Sequence, residues 1–428
     1  MLEKIFKLQE HNTNVRTEVS AGIVTFMTMG YILVVQPSFM GAAGMDVGAV
    51  TAVTALLAGV FSIVMALYTN RPFAMAAAMG SNAFFSFTMV QGGLATWQQG
   101  LGMTFISGIV FFLLTIFGLR EVIVKAIPKN VKLAIGAAVG FFIAQVGFKN
   151  GNLMSITDGK LELGDLTSPG VMLVVIGLFI LVGLMARKIK GAVLISIVLI
   201  TLIGIPMGIT QIPDKFITLP PSIEPIAFKL DIIGSLKLSF FPIMFTFFVG
   251  DFFSTLGTVL GVSAKAGFLD ENGDLPDINK PFLVDSIATM VGAVLGSTVV
   301  TTYIESASGI EAGGRTGLTS VSTGVCFLLA LFVTPVVGMI PSEATAPALI
   351  IIGLLMISAV KDIDFSEFTE AFPAFATIIF TAFTASLSNG ISIGIISYVF
   401  VKLVSGKYKE LNIGAYVLSV LLLMYFII

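Results

Sequence analysis

The chain has 428 residues, of which 56% are hydrophobic and only 11% are charged, and its mean hydropathy is +1.01. In soluble domains roughly a quarter of the residues are charged, so this composition excludes an ordinary water-facing globular protein. The net charge of −2 gives no basic field for nucleic acid, and the single cysteine excludes a disulfide framework within one chain. The sequence therefore predicts an integral membrane protein.

Apolar runs separated by charged residues, glycine and proline predict an all-α polytopic membrane protein. No ionisable residue lies between Arg71 and Arg120, which leaves room for two crossings of about 20 residues each. Residues 1–16 are polar and include no apolar h-region, so we expect no cleavable signal peptide. The candidate spans, about fifteen in all, are 17–36, 47–69, 72–91, 100–119, 131–149, 170–187, 191–208, 236–258, 281–297, 299–316, 320–340, 345–360, 371–386, 388–404 and 412–428.

The loops between these spans differ in charge on the two sides of the membrane. With the N-terminus inside, Arg71, Lys190 and Lys407 fall on the cytoplasmic side, where lysine and arginine are usually enriched. The loops 150–169 and 209–235 fall on the opposite side, and in them acidic residues match or outnumber lysine. We therefore expect a multi-pass protein of the cell membrane with a cytoplasmic N-terminus.

Two features recur in the two halves of the chain. Each half opens with a span rich in phenylalanine and threonine, at 25–29 and 245–248, and its third span is interrupted, at 73–82 and 298–306. Inverted repeats with interrupted helices indicate a binding site near the bilayer midplane in secondary transporters. We predict a first inverted repeat at 1–208, an extracytoplasmic linker at 209–235, and a second repeat with a C-terminal apolar segment at 236–428.

Asp251 is the only ionisable residue in the apolar run 240–263. An unpaired carboxylate at the bilayer centre costs ~2.5–3.5 kcal/mol on insertion scales, so we expect it to face a cavity or a partner. Asp251, Ser254, Thr255 and Thr258 follow the i, i+3, i+4, i+7 spacing of one helical face. A polar stripe that only joins two helices is the alternative, but the aspartate favours a functional role.

Glu305 follows the β-branched run 297–304, which favours an extended segment over a helix. Ser306 and the small residues after it suit a helix start with free backbone N–H groups. A carboxylate beside such a helix start predicts a recognition site, and a cap without a ligand is the alternative. Asn82 stands at the equivalent position in the first half and can both donate and accept hydrogen bonds, although it too can be only a cap.

Asp285 begins the span that follows Pro281, and it is predicted either to cap this helix or to act as a proton-relay or core-orienting residue. The intramembrane acids favour a cation or a neutral planar ligand rich in donors, and they provide protonatable groups because burial disfavours the charged form. We find no Walker loop and no metal-ligand spacing, so we predict no cofactor and no metal. The rings near the predicted site that can stack on a flat ligand are Phe84, Phe85, Phe252, Phe253 and Tyr303.

Several motifs resemble those of the AzgA-type adenine–guanine–hypoxanthine permeases, which belong to the nucleobase–cation symporter (nucleobase–ascorbate transporter) superfamily. The match runs in register over nearly the whole chain. Its motifs are Thr-Phe-Met-Thr-Met-Gly-Tyr at 25–31, Gly-Ser-Asn-Ala-Phe-Phe at 80–85, Asp-Phe-Phe-Ser-Thr-Leu-Gly-Thr at 251–258, Thr-Tyr-Ile-Glu-Ser at 302–306 and Gly-Gly-Arg-Thr-Gly-Leu-Thr at 313–319.

This resemblance implies fourteen helices in two inverted repeats of seven, arranged as a core domain and a gate domain. It also implies short midplane strands in the third and tenth spans, and proton-coupled purine uptake by an elevator-like movement of the core, often in a homodimer formed through the gate domain. Sodium is the alternative coupling ion. By the resemblance the purine contacts Asn82, Asp251 and Glu305; we add Ser254, Phe253, Ser306 and Thr28 as substrate-binding candidates, and Glu305, Asp251 and Asp285 as proton-coupling candidates.

The sequence departs from the family pattern at two positions. Ser254 stands where the family usually has a second aspartate, and Gln36 stands where an asparagine is usual, so the preferred purine is left open. Whether 412–428 forms an extra full span is also open. The alternative functions are an anion transporter of the sulfate or bicarbonate type with the same fold, a passive channel, and a membrane-embedded enzyme. Acids that face the ligand argue against the anion transporter.

Overall fold

The computed structural model describes residues 2–118, 129–157, 160–270, 275–384, 386–424 and 426. The loop around Arg120 and the final residues of the predicted span 412–428 lie outside this part of the chain. Among the described residues, nine helical segments are long and apolar enough to cross a membrane, and three shorter apolar helices accompany them. The predicted class, a polytopic α-helical membrane protein, is confirmed.

Most helices of the first half of the chain are long and nearly apolar. They are α1 (Leu2–Phe6), α2 (Val15–Met29), α3 (Ile32–Ala42), α4 (Val47–Thr69), β1 (Met75–Ala77), α5 (Met79–Ala83), a π-helix (Phe84–Val90), α6 (Trp97–Ile116), α7 (Lys129–Asn150), the hairpin strands β2 (Met154–Thr157) and β3 (Lys160–Leu163), α8 (Pro169–Ala186) and α9 (Ala192–Gly204).

The second half follows a similar order after an irregular linker. Its elements are α10 (Ile232–Ser235), a 3₁₀ turn (Leu238–Phe240), α11 (Phe241–Ala266), α12 (Asn279–Leu295), β4 (Val300–Thr302), α13 (Ser306–Glu311), α14 (Gly317–Ala330), a 3₁₀ turn (Leu331–Val333), α15 (Thr334–Gly338), α16 (Ser342–Ile357), a 3₁₀ turn (Ser358–Asp362), α17 (Phe368–Thr384), α18 (Leu387–Val404), a 3₁₀ turn (Tyr408–Glu410) and α19 (Ile413–Met424).

Polar side chains and glycines fix where several of these helices begin and end. The side-chain oxygens of Asn14 and Asp46 accept hydrogen bonds from main-chain N–H groups in the first turns of α2 and α4, respectively. Thr96 forms a capping box with Gln99 at the start of α6. α12 ends at Gly296, whose φ of 95° is strained for any residue with a side chain. These local signals set where the helices begin and end.

The helices pack into two groups. The core group contains α2 to α6 and α11 to α14 with strands β1 and β4, and the gate group contains α7 to α9 and α16 to α19. Each group draws on both halves of the chain, as expected if the halves are related repeats. The repeat boundaries at 1–208 and 236–428 stay a prediction.

The core group is centred on a pair of short strands. β1 and β4 pair antiparallel, with Met75 opposite Thr302 and Ala77 opposite Val300, and main-chain hydrogen bonds of 2.8 and 2.9 Å extend the pairing at both ends. The paired residues are at most 3% exposed. The pairing satisfies the backbone groups that the interrupted helices leave open, which apolar surroundings require. The predicted spans 72–91 and 299–316 are therefore each a strand followed by a short helix.

The described part of the last helix is too short to cross the membrane completely. α19 has 12 residues, and at about 1.5 Å per residue it covers roughly 18 Å of a hydrocarbon core that is about 30 Å thick. It packs on α18, where Ala415 contacts Tyr398 and Val399. Its described part is thus a peripheral helix of the gate group.

A buried lysine ties the start of this peripheral helix to the gate group. The Lys402 side chain is 1% exposed, and its Nζ lies 2.6 Å from Glu410 Oε2, 2.9 Å from Glu370 Oε1 and 3.7 Å from Glu367 Oε2. These carboxylates are contributed by α17, by the residue that precedes it, and by the turn before α19. The network therefore fixes three chain segments around one ammonium group.

Glu367 has a second cationic partner, Lys407. The Lys407 ammonium and the Thr369 hydroxyl lower the pKa of Glu367 to about 2. The Glu367 carboxylate consequently stays charged in a mildly acidic medium, and its ion pair with Lys407 persists there.

Removing two of the carboxylates is expected to destabilise the gate group. In the double variant Glu370→Gln/Glu410→Gln, the buried Lys402 keeps only the carboxylate at 3.7 Å, and breaking buried ion pairs costs up to about 3–5 kcal/mol. Thermal unfolding of the detergent-purified protein should then begin at a clearly lower temperature. The exposed pair Lys7–Glu10 provides the control, because Glu10→Gln should change the unfolding temperature little. Equal unfolding temperatures for the double variant and the unchanged protein would contradict the proposed role of the network.

Candidate functional site

Asp251 lies in the middle of α11 and is 1% exposed. Its Oδ2 accepts a hydrogen bond of 3.0 Å from the Thr289 hydroxyl of α12. Its Oδ1 is buried and has no hydrogen-bond partner in the part of the chain that the structure describes. The expectation that Asp251 faces a partner is met on one oxygen, and the other oxygen keeps its accepting capacity.

The predicted polar face of α11 is divided in the structure. Asp251 and Thr255 are buried, whereas Ser254 is exposed, although the spacing places all three on one helical face. Three residues advance a helix by about 300°, which turns Ser254 about 60° away from Asp251, while four residues leave Thr255 only about 40° away. A ligand contact of Ser254 stays a prediction, and it would have to be made from the exposed side of the helix.

Asp285 is the most heavily hydrogen-bonded carboxylate of the region. Its Oδ2 accepts from the Thr255 hydroxyl at 2.8 Å, the Thr301 hydroxyl at 3.0 Å and the Thr302 N–H at 3.2 Å, and its Oδ1 accepts from the Thr302 hydroxyl at 3.0 Å. It is the seventh residue of α12, which begins at Asn279, so the predicted capping role is wrong. Asp285 instead joins α12, α11 and β4, which favours the core-orienting role.

Asn82 lies in α5, directly after strand β1, and is fully buried. Its Oδ1 accepts a hydrogen bond from the Thr298 hydroxyl, and its Nδ2 has no partner among the described residues. No side-chain capping bond is made at the start of α5, so capping does not explain Asn82. The π-helix at 84–90 follows it, and such segments often occur at functional sites.

Glu305 occupies the position before α13, beyond the end of strand β4. Its Oε1 accepts a hydrogen bond of 2.6 Å from the Tyr31 hydroxyl of the core group, and its side chain does not cap α13. No side-chain capping bond supports the alternative of a cap, and the ligand contact of Glu305 stays a prediction. Ser306 uses its hydroxyl oxygen to accept from the Ala74 N–H at 3.0 Å, which ties α13 to the chain before β1.

The remaining predicted residues differ in their access to a ligand. The Thr28 hydroxyl donates to carbonyl oxygens of its own helix, to Thr25 at 2.8 Å and to Val24 at 3.2 Å. Phe253 is half-buried, with its ring in an edge contact with Phe252 at 5.2 Å. Four other rings that were predicted to stack on a ligand are at most 6% exposed and lie in the core. They are Phe84, Phe85, Phe252 and Tyr303.

Sequence reasoning did not assign roles to several residues that hold the predicted acids in place. Tyr31, Thr289 and Thr298 each donate to a predicted site residue. They lie far along the chain or on neighbouring helices, and a hydroxyl group alone gives no pattern to recognise. The only available signal was the position of Tyr31 in the family-like motif at 25–31.

Glu18 was also missed as a structural residue. Its carboxylate is completely buried and accepts hydrogen bonds from the Arg315 N–H at 2.9 Å, the Thr316 hydroxyl at 2.8 Å and the Thr319 hydroxyl at 2.6 Å. A negative charge at the start of α14 is favoured by the helix dipole. The motif at 313–319 therefore encloses a glutamate of the first span, which explains why that motif has this composition.

Two interrupted spans paired by strands, with the Asn82 amide and the Glu305 carboxylate at their short helices, are features typical of secondary transporters. The description "Permease family" matches residues 16–393, and the chain belongs to this family. It is therefore a transporter and not an enzyme. Within the part of the chain that the structure covers, no group of three or more His, Cys, Asp or Glu residues is placed to hold a metal ion.

Named relatives and one solved structure extend this comparison. The adenine permease AdeQ of Escherichia coli is 42% identical over 98% of this chain and 95% of its own length, and the guanine/hypoxanthine permease PbuO of Bacillus subtilis is 37% identical over 95% and 96%. The resemblance to adenine–guanine–hypoxanthine permeases is confirmed. The transmembrane domain of a cyanobacterium bicarbonate transporter, BicA, has the same fold, with a TM-score of 0.63 at 14% identity over 89% of this chain and 97% of that domain.

Proposed function

We propose that the chain is a secondary-active, proton-coupled permease that takes up purine nucleobases, namely hypoxanthine, guanine and adenine. The observation that carries this proposal is the unused hydrogen-bonding capacity of two buried site residues, Asn82 Nδ2 and Asp251 Oδ1. A buried polar atom without a partner costs about 1–3 kcal/mol. A ligand that supplies both a donor and an acceptor gains this free energy on binding.

Purine bases have the chemistry that these atoms require. Their ring nitrogens and carbonyl oxygens accept from an amide such as that of Asn82, and their N–H groups donate to carboxylates such as those of Asp251 and Glu305. The ring of Phe253, which is half-buried on the same helix as Asp251, is the proposed stacking surface. The relatives named for adenine and for guanine/hypoxanthine support this choice of substrate.

An anion transporter is less well supported. The likeness to a bicarbonate transporter concerns the fold, whereas the ligand specificity depends on the site. Carboxylates at the site repel an anion, and in a low-dielectric environment such repulsion amounts to several kcal/mol.

The proposed coupling uses protons, although sodium is the alternative ion. Burial disfavours a charged carboxylate, so Glu305 and Asp251 are suited to bind a proton together with the purine and to release it on the other side. Asp285 is less suited to this task, because both of its oxygens accept hydrogen bonds that hold β4. Its proposed role is to orient the strand.

The proposed movement is an elevator-like displacement of the core group against the gate group. Asn82, Asp251 and Glu305 all belong to the core group, so a rigid displacement would carry them together. We propose further that the protein resides in the cell membrane with a cytoplasmic N-terminus, and that a homodimer forms through the gate group.

Uptake into proteoliposomes tests this function. We expect saturable uptake of labelled hypoxanthine, guanine and adenine that is faster with acid outside, and we expect a protonophore to abolish their accumulation. Uptake driven by a sodium gradient would show that the coupling ion is sodium. Uptake of none of the three bases, or uptake of sulfate or bicarbonate instead, would contradict the proposed function.

A further inference from the structure

One lysine of the gate group contacts an aromatic ring that is predicted to bind the ligand. Lys132 lies in the first turn of α7, and its ammonium nitrogen is 5.3 Å from the centre of the Phe253 ring on α11. α7 packs mainly on α16 and α17, whereas α11 packs on α6 and on the elements around β4. The contact therefore crosses from the gate group to the core group, two residues along α11 from Asp251.

Two glycines near this contact have open space where a side chain would stand. A Cβ atom added at Gly136, one turn along α7 from Lys132, would meet no described atom within 4 Å, and the same holds at Gly257, one turn along α11 from Phe253. Ser254 and Gly257 are exposed on this side of α11. The long side chain of Lys132 thus extends from the gate group to a ring of the core group that is predicted to bind the ligand.

An ammonium group and a planar ligand compete for the face of such a ring. A cation within about 6 Å of the ring centre is attracted to the negative face of the ring, and a flat heterocycle stacks on the same face. Among the aromatic residues predicted to contact the ligand, Phe253 is the half-buried one, while the others are essentially enclosed. An occupied ring face therefore reduces the stacking surface that the site offers.

We propose that Lys132 is a substrate-displaced residue of the site, which contacts the Phe253 ring and leaves it when a purine stacks there. The proposal rests on the purine function proposed above and extends it to a residue of the gate group. Lys132 lowers the affinity for the purine, because its contact must break before the base binds. In return, purine binding releases a connection between the gate group and the core group.

Equilibrium binding of labelled hypoxanthine, adenine and guanine to the purified protein tests this inference. Lys132→Gln keeps the length and polarity but removes the charge, and we expect it to bind the preferred base about threefold to tenfold more tightly. Lys132→Arg keeps the charge and stacks more readily, so it should bind the base no more tightly than the unchanged protein. The matched control is Lys149→Gln, which neutralises an exposed lysine at the far end of the same helix and should leave the affinity unchanged.

A second pair of variants separates the ring contact from a general charge effect. In a Phe253→Leu background, Lys132→Gln should no longer change the affinity, because the ring for which the ammonium competes is absent. Unfolding temperatures of all variants identify any that fail to fold. If the unchanged protein binds a purine and Lys132→Gln binds it equally or more weakly, the inference is wrong while the proposed function stands. If the unchanged protein binds no purine, both fail.

Discussion

Replacing Glu305 with glutamine is expected to abolish purine uptake while the protein still inserts and folds. Glutamine has the shape of glutamate but carries neither the charge nor a proton that can be released. A hydrogen bond to a charged group contributes about 1.5–3 kcal/mol, so losing this interaction with the base alone slows uptake roughly tenfold to 100-fold. The loss of the proton site removes the accumulation altogether. Initial rates in proteoliposomes with an imposed pH gradient measure both effects.

Two further variants define what this result means. Tyr31→Phe removes only the hydroxyl that donates to Glu305 at 2.6 Å, and we expect a partial loss of about tenfold in the uptake rate. Glu311→Gln neutralises an acid at the other end of the same short helix, one that pairs with Lys265 at the surface, and it should leave uptake nearly unchanged. Full activity of Glu305→Gln would remove Glu305 from the site.

Replacing Asp285 with asparagine is expected to lower the stability of the core group. An amide nitrogen cannot accept hydrogen bonds, so at least one of the four present contacts becomes unfavourable. The expected cost is about 3 kcal/mol, because each lost contact involves a charged, buried acceptor. The unfolding temperature of the purified protein should fall by several degrees. Transport should fall with it, since β4 holds the segment that leads to Glu305.

Asp251→Asn provides the comparison for this prediction. One Asp251 oxygen accepts from Thr289 and the other has no partner among the residues described, so this variant should lose transport with a much smaller change in unfolding temperature. The opposite outcome for Asp285 is also informative. An Asp285→Asn protein that unfolds normally but has lost the pH dependence of uptake would show that Asp285 relays protons and does not orient the strand.

Much of the fold follows from the sequence because the bilayer imposes simple requirements. Long apolar runs without charge specify the spans, and the interruptions at 73–82 and 298–306 indicate where the helices break, whereas the short strands in both spans were implied by the family resemblance. Glu305 and Asp251 are conspicuous for the same reason, since an acid in an apolar run is costly unless it has a purpose. Length, hydropathy and local propensity were sufficient for these conclusions.

The contacts that complete the site depend on tertiary structure and leave no local pattern. Tyr31 and Glu305 are 274 positions apart, and Thr298 lies 216 positions from Asn82. Periodicity places Ser254 and Asp251 on one helical face, but it cannot establish which edge of that face is buried. That assignment depends on where α12 packs against α11, which is a property of the whole core group.

The strand pair has a consequence for the way the protein is made. Residues 75–77 leave the ribosome long before their partners at 300–302, and at ~5–20 residues per second the interval is on the order of tens of seconds. During this time the unpaired backbone groups of the first strand cannot rest in lipid without a penalty of several kcal/mol each. The nascent first half must therefore remain in a sheltered, hydrated location at the insertion machinery until the second half arrives, and neither half expressed alone should complete its own assembly.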